Sequence, residues 1–86
     1  MGTQLCVSNL PLSATAEELT TRFDKLGVVH SVALDAAVRA NRRLAFVEME
    51  TRADAHRAIA ALNLSDFDGY LVSVFLALAG ASARPS

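Results

Sequence analysis

Arg42, Leu44, Phe46 and Glu48 fall on one side of the stretch Arg42–Met49, and Ala45, Val47 and Met49 fall on the other. A two-residue period of this kind belongs to a strand. The side bearing Ala45, Val47 and Met49 is small and wholly apolar, and suits a core. The opposite side sets a flat aromatic between a guanidinium and a carboxylate, which is ill suited to burial because each charge would lose its water. An open ring can stack on another planar π-system, and a guanidinium beside it can neutralise a phosphate. Together these are the elements of a contact with single-stranded nucleic acid.

Other chemistries find less support. His30 and His56 are distant in sequence, one at the start of an expected strand and one on an expected helix, and both read as surface residues rather than as bases. There is no glycine-rich phosphate loop, no pairing of a nucleophile with a base, and no metal-ligand spacing. The chain is therefore read as non-enzymatic, with no cofactor. Its single cysteine, Cys6, allows neither an internal disulfide nor a cysteine-rich zinc site. The 86 residues are 52% hydrophobic, enough to build the core of one small domain without a metal or a cross-link. The formal net charge is −1 and the pI about 6.0, so any attraction to a polyanion must come from where individual arginines sit and not from a global positive field. No signal peptide or membrane-length apolar run is seen, so no membrane association is expected and a cytoplasmic location is the default.

The elements that must position these residues follow in order. Gln4–Ser8 alternates as a strand and is closed by Asn9-Leu10-Pro11, where proline can neither donate to a ladder nor tolerate a helical predecessor. Thr15 and Glu18 have capping-box spacing, which predicts a helix over Ala16–Leu26 with Leu19, Phe23 and Leu26 on one face and Gly27 as its stop. A second strand is expected over Val29–Asp35, with Val32 and Leu34 facing the core. Ala36–Asn41 is expected to be a polar hairpin connection into the Arg42–Met49 strand. Thr51, with Asp54 three residues on, caps a second helix over Arg52–Leu62, whose stripe Ala55, Ala58, Ile59 and Leu62 is small enough to approach a sheet closely. Asn63–Gly69 then reads as a loop, with Phe67 as its core anchor, and Leu71–Leu76 as a last strand with Val72 and Val74 inward. The order is β-α-β-β-α-β, an α+β ferredoxin-like sandwich: a four-stranded antiparallel sheet with two helices on one face and the other face open. Small phosphatases and metal carriers share this order, but neither an arginine-bearing phosphate loop near the first strand nor a Cys-x-x-Cys pair is present.

Arg42-Arg43-Leu44-Ala45-Phe46-Val47-Glu48-Met49 resembles the first signature of the RNA recognition motif, which runs Lys/Arg, Gly, Phe/Tyr, Gly/Ala, Phe, Val, any residue, Phe/Tyr. Arg42, Ala45, Phe46 and Val47 match. Arg43 stands in place of the glycine, Leu44 in place of the first stacking aromatic, and Met49 in place of a core aromatic. Leu5-Cys6-Val7-Ser8-Asn9-Leu10-Pro11 looks like the family's second signature, with Cys6 where an aromatic is usual. Leu62-Asn63 at the end of the second helix and Gly69 before the last strand also fit. The likeness runs from about Gln4 to Ala77. It implies one domain over residues 1–78, with 79–86 a disordered tail, and its compactness would suit the single-domain members found in bacteria.

The resemblance implies that single-stranded RNA lies on the open face. The candidate contacts are Cys6, Ser8, Arg39, Arg42, Arg43, Leu44, Phe46, Glu48, Ser73 and Phe75. Phe46 would stack a base, Phe75 would stand in for the platforms missing at Cys6 and Leu44, and the three arginines would form a phosphate-binding cluster. Main-chain groups of the last strand would read base edges. With two usual aromatics absent, binding of modest affinity and weak sequence selectivity is expected. The same apolar residues, with Leu71, could instead receive a protein partner or a second copy of the chain. A related subclass binds peptides through an Arg-x-Phe loop after the second helix; Ser65-Asp66-Phe67 keeps the phenylalanine and lacks the arginine.

Overall fold

The computed structural model describes residues 2–39 and 42–77, with the side chains of residues 36–39 left aside. Its elements are β1 (Thr3–Leu10), α1 (Ala16–Asp24), β2 (Val29–Arg39), β3 (Arg42–Met49), α2 (Arg52–Leu62), β4 (Asp66–Phe67), β5 (Tyr70–Leu71) and β6 (Ser73–Leu76). Four strands form one sheet in the order β2-β3-β1-β6, and every pairing in it is antiparallel. This is the expected ferredoxin-like sandwich.

The alternation places the core. Leu5 and Val7 of β1, Ala45, Val47 and Met49 of β3, and Val72 and Val74 at the last strand are all buried. They pack with Leu19 and Phe23 of α1 and with Ala55 and Ala58 of α2. Both helices start as their capping residues require. The Thr15 side chain accepts from the Glu18 N–H while Glu18 Oε1 accepts from the Thr15 N–H, each at 3.1 Å. Thr51 Oγ1 accepts from the Asp54 N–H at 3.0 Å. Phe67 is a core residue, and the Arg22 guanidinium lies 4.1 Å from its ring centroid.

Four boundaries differ from the sequence reading. The first strand extends to Thr3 and Leu10 at its two ends. Helix α1 stops at Asp24, with Lys25 as a right-handed C-cap, so Gly27 does not end it through a left-handed turn. Gly27 is needed for a different reason: a Cβ there would run into the Asp54 carboxyl group, which accepts from the Val28 N–H at 3.4 Å. Strand β2 continues through Ala36–Arg39, the stretch expected to be a polar connection. A register shift between Leu34 and Val38 breaks the simple alternation there, which is why the pattern reads as a loop. Finally, the loop after α2 contains a small hairpin of β4 and β5. It turns at Asp68 (φ 53°) and Gly69 (φ 91°), the successive left-handed residues of a tight two-residue turn. The chain from Tyr70 to Leu76 is thereby divided into β5 and β6 and not one strand. The tail from 79 lies outside the described residues.

Candidate nucleic-acid interface

Register brings the middle of the open face together. Cys6 on β1 lies opposite Phe46 on β3 and opposite Phe75 on β6, and Phe46 lies opposite Ala33 on β2. Strands are spaced by about 4.8 Å, so the two phenylalanines stand about 10 Å apart at their backbones, one on each side of the cysteine. Phe75 is 49% exposed, unusual for a large aromatic, and Phe46 is partly buried. Cys6 is only 7% exposed although it lies on the face away from the helices. Burial pushes the Cys6 thiol above its ordinary pKa, and the nearby Asp35 carboxylate adds to the effect. It is a protonated, inert floor between two rings.

Adjacent rows frame this strip. Ser8 pairs with Ser73, on the side of the partly buried Leu44. On the other side Gln4 and Ser31 flank Glu48, and Ser31 Oγ donates to Glu48 Oε1 at 3.5 Å. Glu48 on this side, and Asp35 beyond the Leu34–Ala45 pair on the Leu44 side, put one carboxylate on each side of the strip, which opposes a polyanion unless a cation is set nearby.

That cation is Arg42, and it is well anchored. Its Nε donates to Asn9 Oδ1 at 3.0 Å, and its guanidinium carbon lies 4.1 Å from the Tyr70 ring centroid. Asn9, in a left-handed conformation at φ 68°, donates through Nδ2 to the Leu71 carbonyl oxygen at 2.7 Å. Asn9 thus secures the end of β1, as the Asn-Leu-Pro turn requires, and also reaches across to β3.

The expected arginine cluster does not assemble as one group. Arg43 alternates to the face of Ala45, pairs with Leu10, and has a buried Nε without a hydrogen-bond partner among the described residues. It is therefore separated from Arg42 by the sheet. Arg39 lies opposite Arg42 in the ladder, while its side chain is among those outside the described residues. The last strand also offers less main chain than expected. The Val72 N–H donates to the Ser65 carbonyl oxygen at 3.0 Å and the Val74 N–H to Asn63 Oδ1 at 2.9 Å, so the loop after α2 seals that edge. Tyr70, absent from the expected set, could have been found from Asp68-Gly69, a dipeptide typical of a tight hairpin, which brings Tyr70 back alongside Phe67.

Histidines stay peripheral: His30 Nε2 lies 3.6 Å from Glu50 Oε1 on the surface, and His56 is exposed on α2. Among the described residues no three metal-ligating side chains gather, and no helix is long and apolar enough to cross a membrane.

The RNA recognition motif family profile matches residues 5–73, most of the chain and both signature strands. The chain belongs to the RNA recognition motif family. It is 37% identical over 76 residues to the sex determination protein fox-1 of Caenorhabditis elegans, a match that covers 88% of this chain and 18% of that protein. The chain thus spans under a fifth of that relative's length. Because the relative is from a nematode, it lends no support to the bacterial setting expected from compactness. Among solved structures, Pes4 RRM3 superposes with a TM-score of 0.84 at 26% identity, covering 91% of this chain and 94% of that one. The Sxl-lethal protein/RNA complex superposes with a TM-score of 0.76 at 35% identity, covering 87% of this chain and 47% of that one.

Proposed function

We propose that this RNA recognition motif is a non-catalytic module that takes two adjacent nucleotides of single-stranded RNA on its open face. Phe46 stacks one base, Phe75 or Leu44 contacts the next, and Arg42, at the end of the same face, meets the backbone beside them. The observation that supports this most is the direct register of Phe46, Cys6 and Phe75, with Phe75 half exposed. Each base on an aromatic platform is worth roughly 1–3 kcal/mol. Two such platforms beside a partly acidic surface give modest affinity, and with few phosphate contacts that affinity falls only gently with salt. Ser8 and Ser73 lie next to the strip and supply hydroxyls but no fixed donor–acceptor pattern, which suits weak sequence selectivity. A cytoplasmic setting remains part of this reading.

A second reading rests on Leu71 and Phe75, 58% and 49% exposed at the rim of the same face. These would be covered in a homodimer or by a protein partner. Fluorescence anisotropy of a labelled short RNA, together with sedimentation of the protein, separates the two. Loss of RNA binding in Phe46→Ala, with a monomer at all concentrations, supports the RNA reading. Unchanged RNA binding in Phe46→Ala overturns it, and a concentration-dependent dimer that Phe75→Ser dissociates puts the second reading in its place.

A further inference from the structure

Arg42 belongs to the open face by alternation, and contacts beyond alternation help to hold it there. One is the Tyr70 ring beneath its guanidinium at 4.1 Å, and another is the Asn9 amide oxygen on its Nε at 3.0 Å. Both partners are themselves fixed. The Asn9 amide is tied to the Leu71 carbonyl at 2.7 Å. Tyr70 pairs with the buried Phe67 across a turn of two left-handed residues. An arginine on an open surface loses rotamer freedom when it docks, and one already held loses less.

Position decides what this charge meets. Arg42 precedes Phe46 by four residues on β3, about 13 Å of strand, too far to serve the base stacked on Phe46. A cation at that distance can neutralise a phosphate, the charged group that recurs along a single strand. We infer that Tyr70, with Asn9, is a positioning residue that holds the Arg42 charge ready for a phosphodiester of single-stranded RNA. The inference rests on the RNA-binding reading of the open face.

The test compares wild type, Tyr70→Phe, Tyr70→Leu and Phe46→Ala. One readout is the Arg42 Nε–Hε resonance in the free protein, which the ring beneath it shifts. The other is anisotropy of a labelled short oligouridine over a salt series. Tyr70→Phe keeps both the resonance and the salt dependence. Tyr70→Leu moves the resonance by removing the ring's shift, weakens binding several-fold, and lowers the steepness of log K against log salt by about 0.7, the loss of one phosphate contact on a single strand. A Tyr70→Leu protein with the wild-type salt slope overturns the inference, whether or not its affinity falls, because Tyr70 would then be serving a base or the fold. If Phe46→Ala loses binding while Tyr70→Leu keeps that slope, the positioning role alone fails. If Phe46→Ala binds as wild type does, or wild type does not bind, the RNA reading fails and the inference with it.

Discussion

Across the middle of the open face, Phe46, Cys6 and Phe75 stand side by side in register, and what they offer a ligand is ring surface. At the end of the same face, Asn9, Arg42, Tyr70 and Leu71 are joined by two hydrogen bonds and a cation–ring contact. The middle has surrendered aromatic area where Cys6 and Leu44 stand. The end is more ordered, with a cation on β3 held by groups from the end of β1 and from β5. The difference teaches that the departures from the family's signatures are unevenly distributed. They thin the base-stacking strip and leave the charged end more firmly built than a surface arginine would be.

The largest effect should come from the strip. Phe46→Ala is expected to weaken binding of short single-stranded RNA by about 1–3 kcal/mol, or roughly five- to 150-fold, as measured by anisotropy. Its thermal stability should change less than that of Val47→Ala on the buried face of the same strand. Next, Cys6→Tyr should raise affinity, by up to about tenfold, if the thin strip is what limits binding. An unchanged affinity in a folded Cys6→Tyr protein would mean that the strip is not the contact surface. At the charged end, Asn9→Ala removes two hydrogen bonds and puts alanine at a positive φ, so a loss of about 1–2 kcal/mol in chemical denaturation is expected. The RNA salt slope should flatten in the same variant.

The smallest effect lies at the helix side, which serves as a control. Asp54 is held below the usual carboxylate range, chiefly by its hydrogen bond from Arg57 at 2.7 Å, with the Val28 N–H and Thr51 assisting against some desolvation. The unfolded chain therefore binds this proton more readily than the folded one. The contribution of Asp54 to stability is present above the ordinary Asp pKa of about 3.9 and is lost as the pH falls through the lowered folded value. Asp54→Asn should flatten that acid limb of a stability-versus-pH curve while leaving RNA affinity unchanged.

Much of this was legible in the chain itself. The alternation of Arg42–Met49 separates Phe46 from Val47 without any knowledge of partners, and Thr15 and Thr51 mark both helix starts. Phe75 could be assigned to the open face because Val72 and Val74 take the core. What was illegible depends on register and on irregularity. The shift between Leu34 and Val38 hides the far half of β2 from a strict period of two. Arg43, by contrast, was legible: the period of two that turns Phe46 outward sends Arg43 to the side of Ala45, so grouping it with Arg42 runs against the alternation. Tyr70 meets Arg42 only because the Asp68-Gly69 turn and the β1 end converge in space, a contact between distant residues that no local pattern encodes.

An amide chemical-shift titration of the labelled chain with a degenerate short single-stranded RNA, at low and at moderate salt, tests the central claim most directly. Shifts centred on Cys6, Leu44, Phe46 and Phe75, with those near Arg42 and Tyr70 shrinking most as salt rises, are the predicted result. Shifts confined to the helices, or none on the open face at high RNA concentration, would contradict it.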